Sequence, residues 1–332
     1  MAQILHNFPL DSFGARRVRL WPGAKMTTRT LGVLILLLGP AASAYLMGFN
    51  EAAHYLGLGA LLAVQLSVLA RPVAAFAVLL PVVYAAAAIT AQSTDGVVAL
   101  IVAIAAAVGA ASSQGLHRGL VALLAAAMIG SFEPAATADI VSRGGFLLAG
   151  SSYGFLLAVT LLRRVTLDAP HLHPQSALGY AVLLAVLTLV AWFAARFTGL
   201  GHPWWLPLMV VAVSQPLPGG PARQALLRSV LAATAALALV LVTDWVEAPA
   251  VRALLLVGLL FVTLSAGSRR PALSAVLIVP VLALLSSHAA IHETPLDFLQ
   301  ATLPAFVPVM AVSALGHWLF WTLRPGAGRV AA

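Results

Sequence analysis

The chain is a series of long apolar runs separated by short segments that carry charges or histidine. Twelve runs of 14 to 23 residues contain no Asp, Glu, Lys, Arg or His. A helix that spans a bilayer needs about 20 residues, and shorter runs can extend into their flanks. The pattern therefore predicts twelve membrane-spanning helices, over residues 30–50, 55–70, 72–94, 96–116, 119–132, 144–162, 174–195, 203–222, 229–243, 253–268, 271–287 and 298–316.

The composition excludes a soluble globular protein. Of the 332 residues, 61% are hydrophobic and 8% are charged, whereas a soluble domain carries about 25% charged residues. The apolar runs are continuous rather than alternating, which indicates helices and argues against an outer-membrane barrel. The absence of cysteine excludes disulfides, thiolate metal sites and a cysteine nucleophile. The fold class predicted is an all-α polytopic membrane protein.

The charges between the runs predict the orientation of the chain. With a cytoplasmic N-terminus and twelve spans, 15 of the 18 Lys and Arg residues lie inside, and eight of the ten acids lie outside. This is the asymmetry of the positive-inside rule. Both termini are therefore expected in the cytoplasm. The three exceptions among the cations are Arg143, Arg196 and Arg252.

Short motifs recur six helices apart. The loop at 113–118 and the loop at 265–270 share the order Ser-x-Gly-x-basic-Arg, and Arg71-Pro72 and Gln215-Pro216 close the second and eighth runs. Because six is even, these matches predict two parallel six-helix repeats related by an axis along the membrane normal. The predicted organisation is a basic cytoplasmic segment at 1–28, a first repeat at 29–164, a cytoplasmic linker at 165–176, a second repeat at 177–324 and a tail at 325–332.

One part of the second repeat resembles a known family. The eighth run opens with Trp204-Trp205 and ends in Gln215-Pro216, and Arg228 then leads the next apolar helix. In these features residues 202–236 resemble the fusaric-acid-resistance and aromatic acid exporter membrane family. That family has a Gly-Thr-x-x-Gly pattern after the arginine, whereas residues 231–236 here replace the glycines with other residues, mostly alanine. The family's large cytoplasmic domains have no counterpart here, so the chain resembles a compact, membrane-only member.

The resemblance implies an exporter of small organic acids, aromatic or amphipathic, in the inner membrane. The implied partners are the lipid bilayer, a small organic anion and a periplasmic adaptor protein, with further copies of the chain as another candidate. No nucleic acid and no cofactor are expected. The alternatives are a non-transporting membrane subunit that docks an adaptor, and a membrane-embedded enzyme. The enzyme is disfavoured because no P-loop and no clustered catalytic motif occurs in the sequence.

Arg228 is the leading candidate for substrate binding. A guanidinium near the inner end of a spanning helix can form a two-pronged contact with a carboxylate. The alternative is an arginine that snorkels to the interface and anchors the helix. Gln215 belongs to the same motif, and Tyr84 lies near the corresponding place in the first repeat.

The remaining candidates are aromatic residues and histidines. Trp204 and Trp205 are interpreted either as a stacking wall for an aromatic substrate or as part of the aromatic belt at the outer interface. His317 in the last run is a candidate for proton coupling, or a packing histidine. Residues 288–293 place two histidines and an acid at helical ligand spacing, but no metal site is predicted.

Overall fold

The described part of the protein is entirely helical. In this computed structural model the described residues are 24–132, 136–162, 171–196 and 249–267, with single positions between 204 and 211 and at 311 and 315. The helices are α1 (Ala24–Leu46), α2 (Asn50–Leu69), a 3₁₀ segment (Arg71–Leu79) that leads into α3 (Leu80–Thr90), α4 (Thr94–Ala110) with a 3₁₀ extension (Ala111–Gln114), α5 (His117–Phe132), α6 (Thr137–Leu161), α7 (Pro174–Arg196) and α8 (Pro249–Gly267).

Five helical stretches within these residues are long and apolar enough to cross a membrane. They are Asn50–Leu69, Arg71–Thr90, Thr94–Gln114, Thr137–Leu161 and Pro174–Arg196. Large apolar side chains such as Ile35 (62% exposed) and Val82 (60% exposed) cover the outside of the bundle. Water would penalise such a surface, whereas lipid accepts it because the backbone polar groups are satisfied within each helix. The protein is therefore a membrane protein.

Eight of the twelve predicted runs coincide with helical segments in the described residues. The matches are 30–50, 55–70, 72–94, 96–116, 119–132, 144–162, 174–195 and 253–268. The runs at 203–222, 229–243, 271–287 and 298–316 lie almost wholly outside these residues. The all-helical membrane class is confirmed, whereas the number twelve and the two parallel repeats stay predictions.

Acidic residues mark the helices that begin at the predicted outer side. Glu51, Asp95 and Asp139 lie in the first turns of α2, α4 and α6. A helix N-terminus carries a partial positive charge of about half an electron, which stabilises a carboxylate there. The Ser93 side chain also caps α4 by accepting a hydrogen bond from the Gly96 amide at 3.3 Å. The acids that the predicted orientation places outside thus stabilise every second helix of this segment.

The loops group at the two ends of the bundle as the charge pattern predicts. Arg143 Nε and Glu51 Oε1, both expected outside, form an ion pair at 2.5 Å. At the opposite end the Leu172 amide, in the predicted cytoplasmic linker, donates to the Ser112 carbonyl at 3.0 Å. Arg71 also donates to the Leu162 carbonyl at the end of α6, at 3.0 Å. Which end faces the cytoplasm stays a prediction.

Small residues bring α2 and α6 into backbone contact. A Cβ added at Gly150 or Gly154 of α6 would collide with the carbonyl oxygens of Leu56 and Ala60 on α2, and Gly59 is equally confined from the other side. Small residues four apart allow such close approach, which increases dispersion contact where lipid supplies no hydrophobic drive. This pair of helices is the most extensively packed in the described region.

Candidate functional site

Four aromatic rings form a connected cluster in the predicted outer half of the bundle. The aromatic cluster consists of His54 and Tyr55 on α2, Tyr84 on α3, and Trp204. The ring centroids of Tyr55 and Tyr84 lie 5.8 Å apart, and those of His54 and Trp204 lie 6.2 Å apart. All the contacts have edge-to-face geometry, which suits the quadrupoles of the rings and contributes about 0.5–1.5 kcal/mol per pair.

The cluster is buried among apolar residues rather than displayed to lipid. Tyr84 and Trp204 are fully buried and Tyr55 is 3% exposed. All three belong to the main hydrophobic core, while His54 is half-buried at its edge. A tryptophan of the aromatic belt faces the membrane interface. Trp204 therefore does not occupy a lipid-facing belt position.

A cation lies at the rim of the cluster. The Arg143 guanidinium carbon is 5.9 Å from the centroid of the Tyr55 ring, within the range of a cation–π contact. Its Nε also donates to Glu51, whose side chain is exposed. The arrangement places a positive charge beside buried aromatic rings, at the predicted outer side of the bundle.

Part of the chain matches a protein family. Residues 190–317 match the family described as fusaric acid resistance protein-like. The chain carries a fusaric acid resistance protein-like region. Comparison with curated proteins gave no match, and comparison with solved structures gave none either.

The fusaric acid resistance protein-like region contains most of the predicted site residues and confirms the resemblance. Trp204 lies in it and joins Tyr84, from the first predicted repeat, through His54 and Tyr55. The other predicted site residues lie outside the described part of the chain; they are Trp205, Gln215, Arg228 and His317. The two histidines and the acid at 288–293 also lie outside it. Their roles stay predictions.

His54 and Tyr55 were missed by the sequence analysis, although a signal was present. His54 immediately precedes the second apolar run and Tyr55 begins it, as Trp204-Trp205 stand at the start of the eighth. The second and eighth runs are counterparts in the predicted duplication. An aromatic pair at both starts was therefore a reason to expect the two pairs to meet.

His117 also departs from expectation. The charge pattern predicts an inner loop at this position, but α5 begins at His117 and its side chain is fully buried. Its ring lies edge-on to Tyr180 of α7, with centroids 6.1 Å apart. The uncharged run began at 119 only because His117 and Arg118 interrupt it, whereas helix formation depends on the backbone and on packing. The described part of the bundle interior thus holds an ionisable group, His117.

The described residues contain no candidate metal site. No group of three or more His, Cys, Asp or Glu side chains comes together within them. The chemistry that the described site offers is stacking, hydrogen bonding and charge attraction.

Proposed function

We propose that the protein is an inner-membrane transporter that exports small organic acids, aromatic ones among them. The observation that carries this proposal is the match of residues 190–317 to the fusaric acid resistance protein-like family, in a chain with several helices able to span a membrane. The name of that family points to resistance, and export is the route to resistance that a chain with several membrane-spanning helices can provide.

The proposed route begins at the cytoplasmic face. The arginine-rich inner loops attract an organic anion, and Arg228 binds its carboxylate. Gln215 donates a further hydrogen bond. The ring of the substrate then contacts Tyr84 and Trp204, which are fully buried in this structure, so this step requires the surrounding helices to move apart. Trp205 adds to the same wall.

Energy coupling is assigned to His317, because histidine changes charge near neutral pH. A periplasmic adaptor protein is the proposed partner for onward transfer, and assembly with further copies of the chain is part of the same proposal. An enzymatic role and a purely docking role are the competing hypotheses. Both predict that substitutions at Arg228 leave efflux of aromatic acids unchanged.

The decisive experiment substitutes Arg228. A hydrogen bond to a charged group contributes about 1.5–3 kcal/mol, so Arg228→Ala is expected to weaken anion binding roughly tenfold to a hundredfold. Arg228→Lys is expected to restore only part, because an ammonium cannot make the planar two-pronged contact. The measurement is efflux-dependent resistance to an aromatic acid such as benzoate, together with the abundance of each variant in the membrane.

Arg223 supplies the matched control, because it lies in the same predicted cytoplasmic loop. Arg223→Ala removes the same charge and is expected to retain most transport. If Arg228 only anchors the helix, Lys will restore everything and Ala will lower abundance rather than transport. Full resistance with Arg228→Ala at normal abundance would refute the assigned role.

A further inference from the structure

A cavity opens at the predicted outer end of the bundle, apart from the aromatic cluster. Its volume is about 500 Å³, and it lies where α3, α5 and α7 end and α6 begins. This volume is within the range of about 300–1,000 Å³ that is common for small-molecule sites. Its wall combines a cation, an amide, a hydroxyl and apolar groups, including Arg196, Gln92, Ser131, Phe132, Ala88 and Ala91.

Arg196 is held at this cavity by a fixed aromatic ring. Its guanidinium carbon lies 4.3 Å from the centroid of the Trp192 ring. Trp192 is fully buried, and its Nε1 donates to Ser131 Oγ at 2.9 Å. Phe132 packs against the same indole, with centroids 5.9 Å apart. A guanidinium stacked on a ring keeps its in-plane N–H donors available for a carboxylate.

The charge of Arg196 lacks a carboxylate partner in the described part of the chain. Arg143, another exception to the positive-inside pattern, is paired with Glu51. No described carboxylate pairs with Arg196, which is exposed in the last turn of α7. Ser131 accepts from Trp192 and donates to the Met128 carbonyl, so the donors that remain for a ligand are Arg196 and Gln92.

The helix ends limit how tightly an anion can bind here. Three helices present their carboxyl ends to the cavity, each with about half a negative charge, whereas α6 presents its N-terminus, with about half a positive charge. The carboxyl ends outnumber the N-terminus and repel a carboxylate, and Arg196 offsets the repulsion at contact distance. The result is a weak site. Weak binding suits an exit, because transport requires a ligand to leave each site as well as enter it.

We propose that this cavity is a low-affinity exit site for aromatic carboxylates, in which Arg196 binds the carboxylate and Phe132 contacts the ring. The choice of ligand class rests on the proposed function, whereas the cation and the aromatic wall are independent of it. The site differs from Arg228 in location, since it lies at the predicted outer side.

The test uses the full chain, purified in detergent, with 4-fluorobenzoate as the probe. In this binding assay the reference protein and every variant also carry Arg228→Ala, so that the proposed inner site does not contribute to the signal. Binding is followed by fluorine NMR saturation transfer, with empty micelles as the blank. The reference protein is expected to bind in the millimolar range. Arg196→Gln is expected to weaken binding about threefold to tenfold, because it loses a charge-assisted hydrogen bond at an exposed position. Arg196→Lys is expected to fall between the two, since it keeps the charge without the planar fork.

Two controls separate a site from general attraction. Arg252→Gln removes one positive charge from the same predicted side, on α8, which packs against α1 rather than the cavity helices. It is expected to bind as the reference protein does. Neutral 4-fluorobenzamide is expected to give the same weak signal with the reference protein and Arg196→Gln. Gel filtration and circular dichroism establish that each variant is monodisperse and helical.

Unchanged affinity in Arg196→Gln, or an equal loss in Arg252→Gln, overturns the proposal. The binding assay does not depend on transport, so the two proposals fail separately. If wild type shows no efflux but Arg196→Gln loses the probe, the site stands and the transport function fails. If efflux depends on Arg228 but the probe binds without regard to residue 196, the transport function stands and the exit site fails.

Discussion

Gly59 offers the most direct test of how the bundle is held together. It is buried in α2 against α6, where a Cβ would lie 2.5 Å from the Leu147 carbonyl oxygen and 2.9 Å from the Ser151 amide nitrogen. Both neighbours are backbone atoms of a long helix and cannot rotate away. In Gly59→Ala the two helices must therefore move apart.

The size of the effect follows from that displacement. A comfortable carbon–oxygen contact is about 3.3 Å, so the helices must separate by roughly 0.8 Å at this point. A gap of about 0.5–1 Å forfeits a quarter to a half of each dispersion contact along the seam. Overpacking of this kind costs about 1–3 kcal/mol, and the better helix propensity of alanine returns at most about 1 kcal/mol. We expect a net destabilisation of about 1–2 kcal/mol.

The assay is the free energy of unfolding in mixed micelles, measured by titration with a denaturing detergent and followed by tryptophan fluorescence. Gly144→Ala is the matched control, because Gly144 lies in α6 and an added Cβ would meet nothing within 4 Å. The control is expected to be as stable as wild type or more stable. If Gly59→Ala unfolds with the same free energy as Gly144→Ala, the close approach of α2 and α6 is wrong.

Three further predictions address other parts of the molecule. Tyr153→Phe removes the hydrogen bond from the Tyr153 hydroxyl to the Leu36 carbonyl, which joins α6 to α1, and should lower the free energy of unfolding by about 0.5–1.5 kcal/mol; no change in the same titration would argue against this contact. In this cysteine-free chain, a cysteine at the exposed Ala138 should react with an impermeant thiol reagent added outside intact cells, and one at Ala331 should not; labelling at Ala331 would contradict the even number of spans. His317→Gln should flatten the pH dependence of efflux between about pH 5 and 8, because glutamine does not titrate; an unchanged pH profile would make His317 a packing residue.

The helices were predictable because membrane spans leave a strong signal in sequence. A helix in lipid must be apolar over its whole length, so each charge or histidine marks a boundary within a few residues. The rule failed where a polar residue is buried by a neighbouring helix, as at His117 beside Tyr180. It also misplaced the start of α6, which begins at Thr137 and contains Arg143, because that cation is neutralised by Glu51.

The aromatic cluster was less accessible, because its contacts join residues far apart in the chain. Tyr84 and Trp204 were each singled out for reasons unrelated to the other, and 120 positions separate their numbers. What connects them is Tyr55 with His54, a pair on α2 whose position depends on how α2 packs against α3. Helix periodicity gives each residue a face on its own helix, but it does not state which helices are neighbours.

The cations at the predicted outer side also show that sequence does not state which residues become neighbours. The charge pattern identified Arg143 and Arg196 as exceptions of equal standing. The structure separates them: Arg143 is paired with an acid from another helix, while Arg196 stacks on Trp192 at a cavity where no described carboxylate meets it. A charge that is kept against the positive-inside rule needs a compensating interaction, and for Arg143 the ion pair provides it. For Arg196 the Trp192 ring and the three helix carboxyl ends provide part of this compensating interaction. In the proposed exit site, the carboxylate of a bound substrate provides the rest.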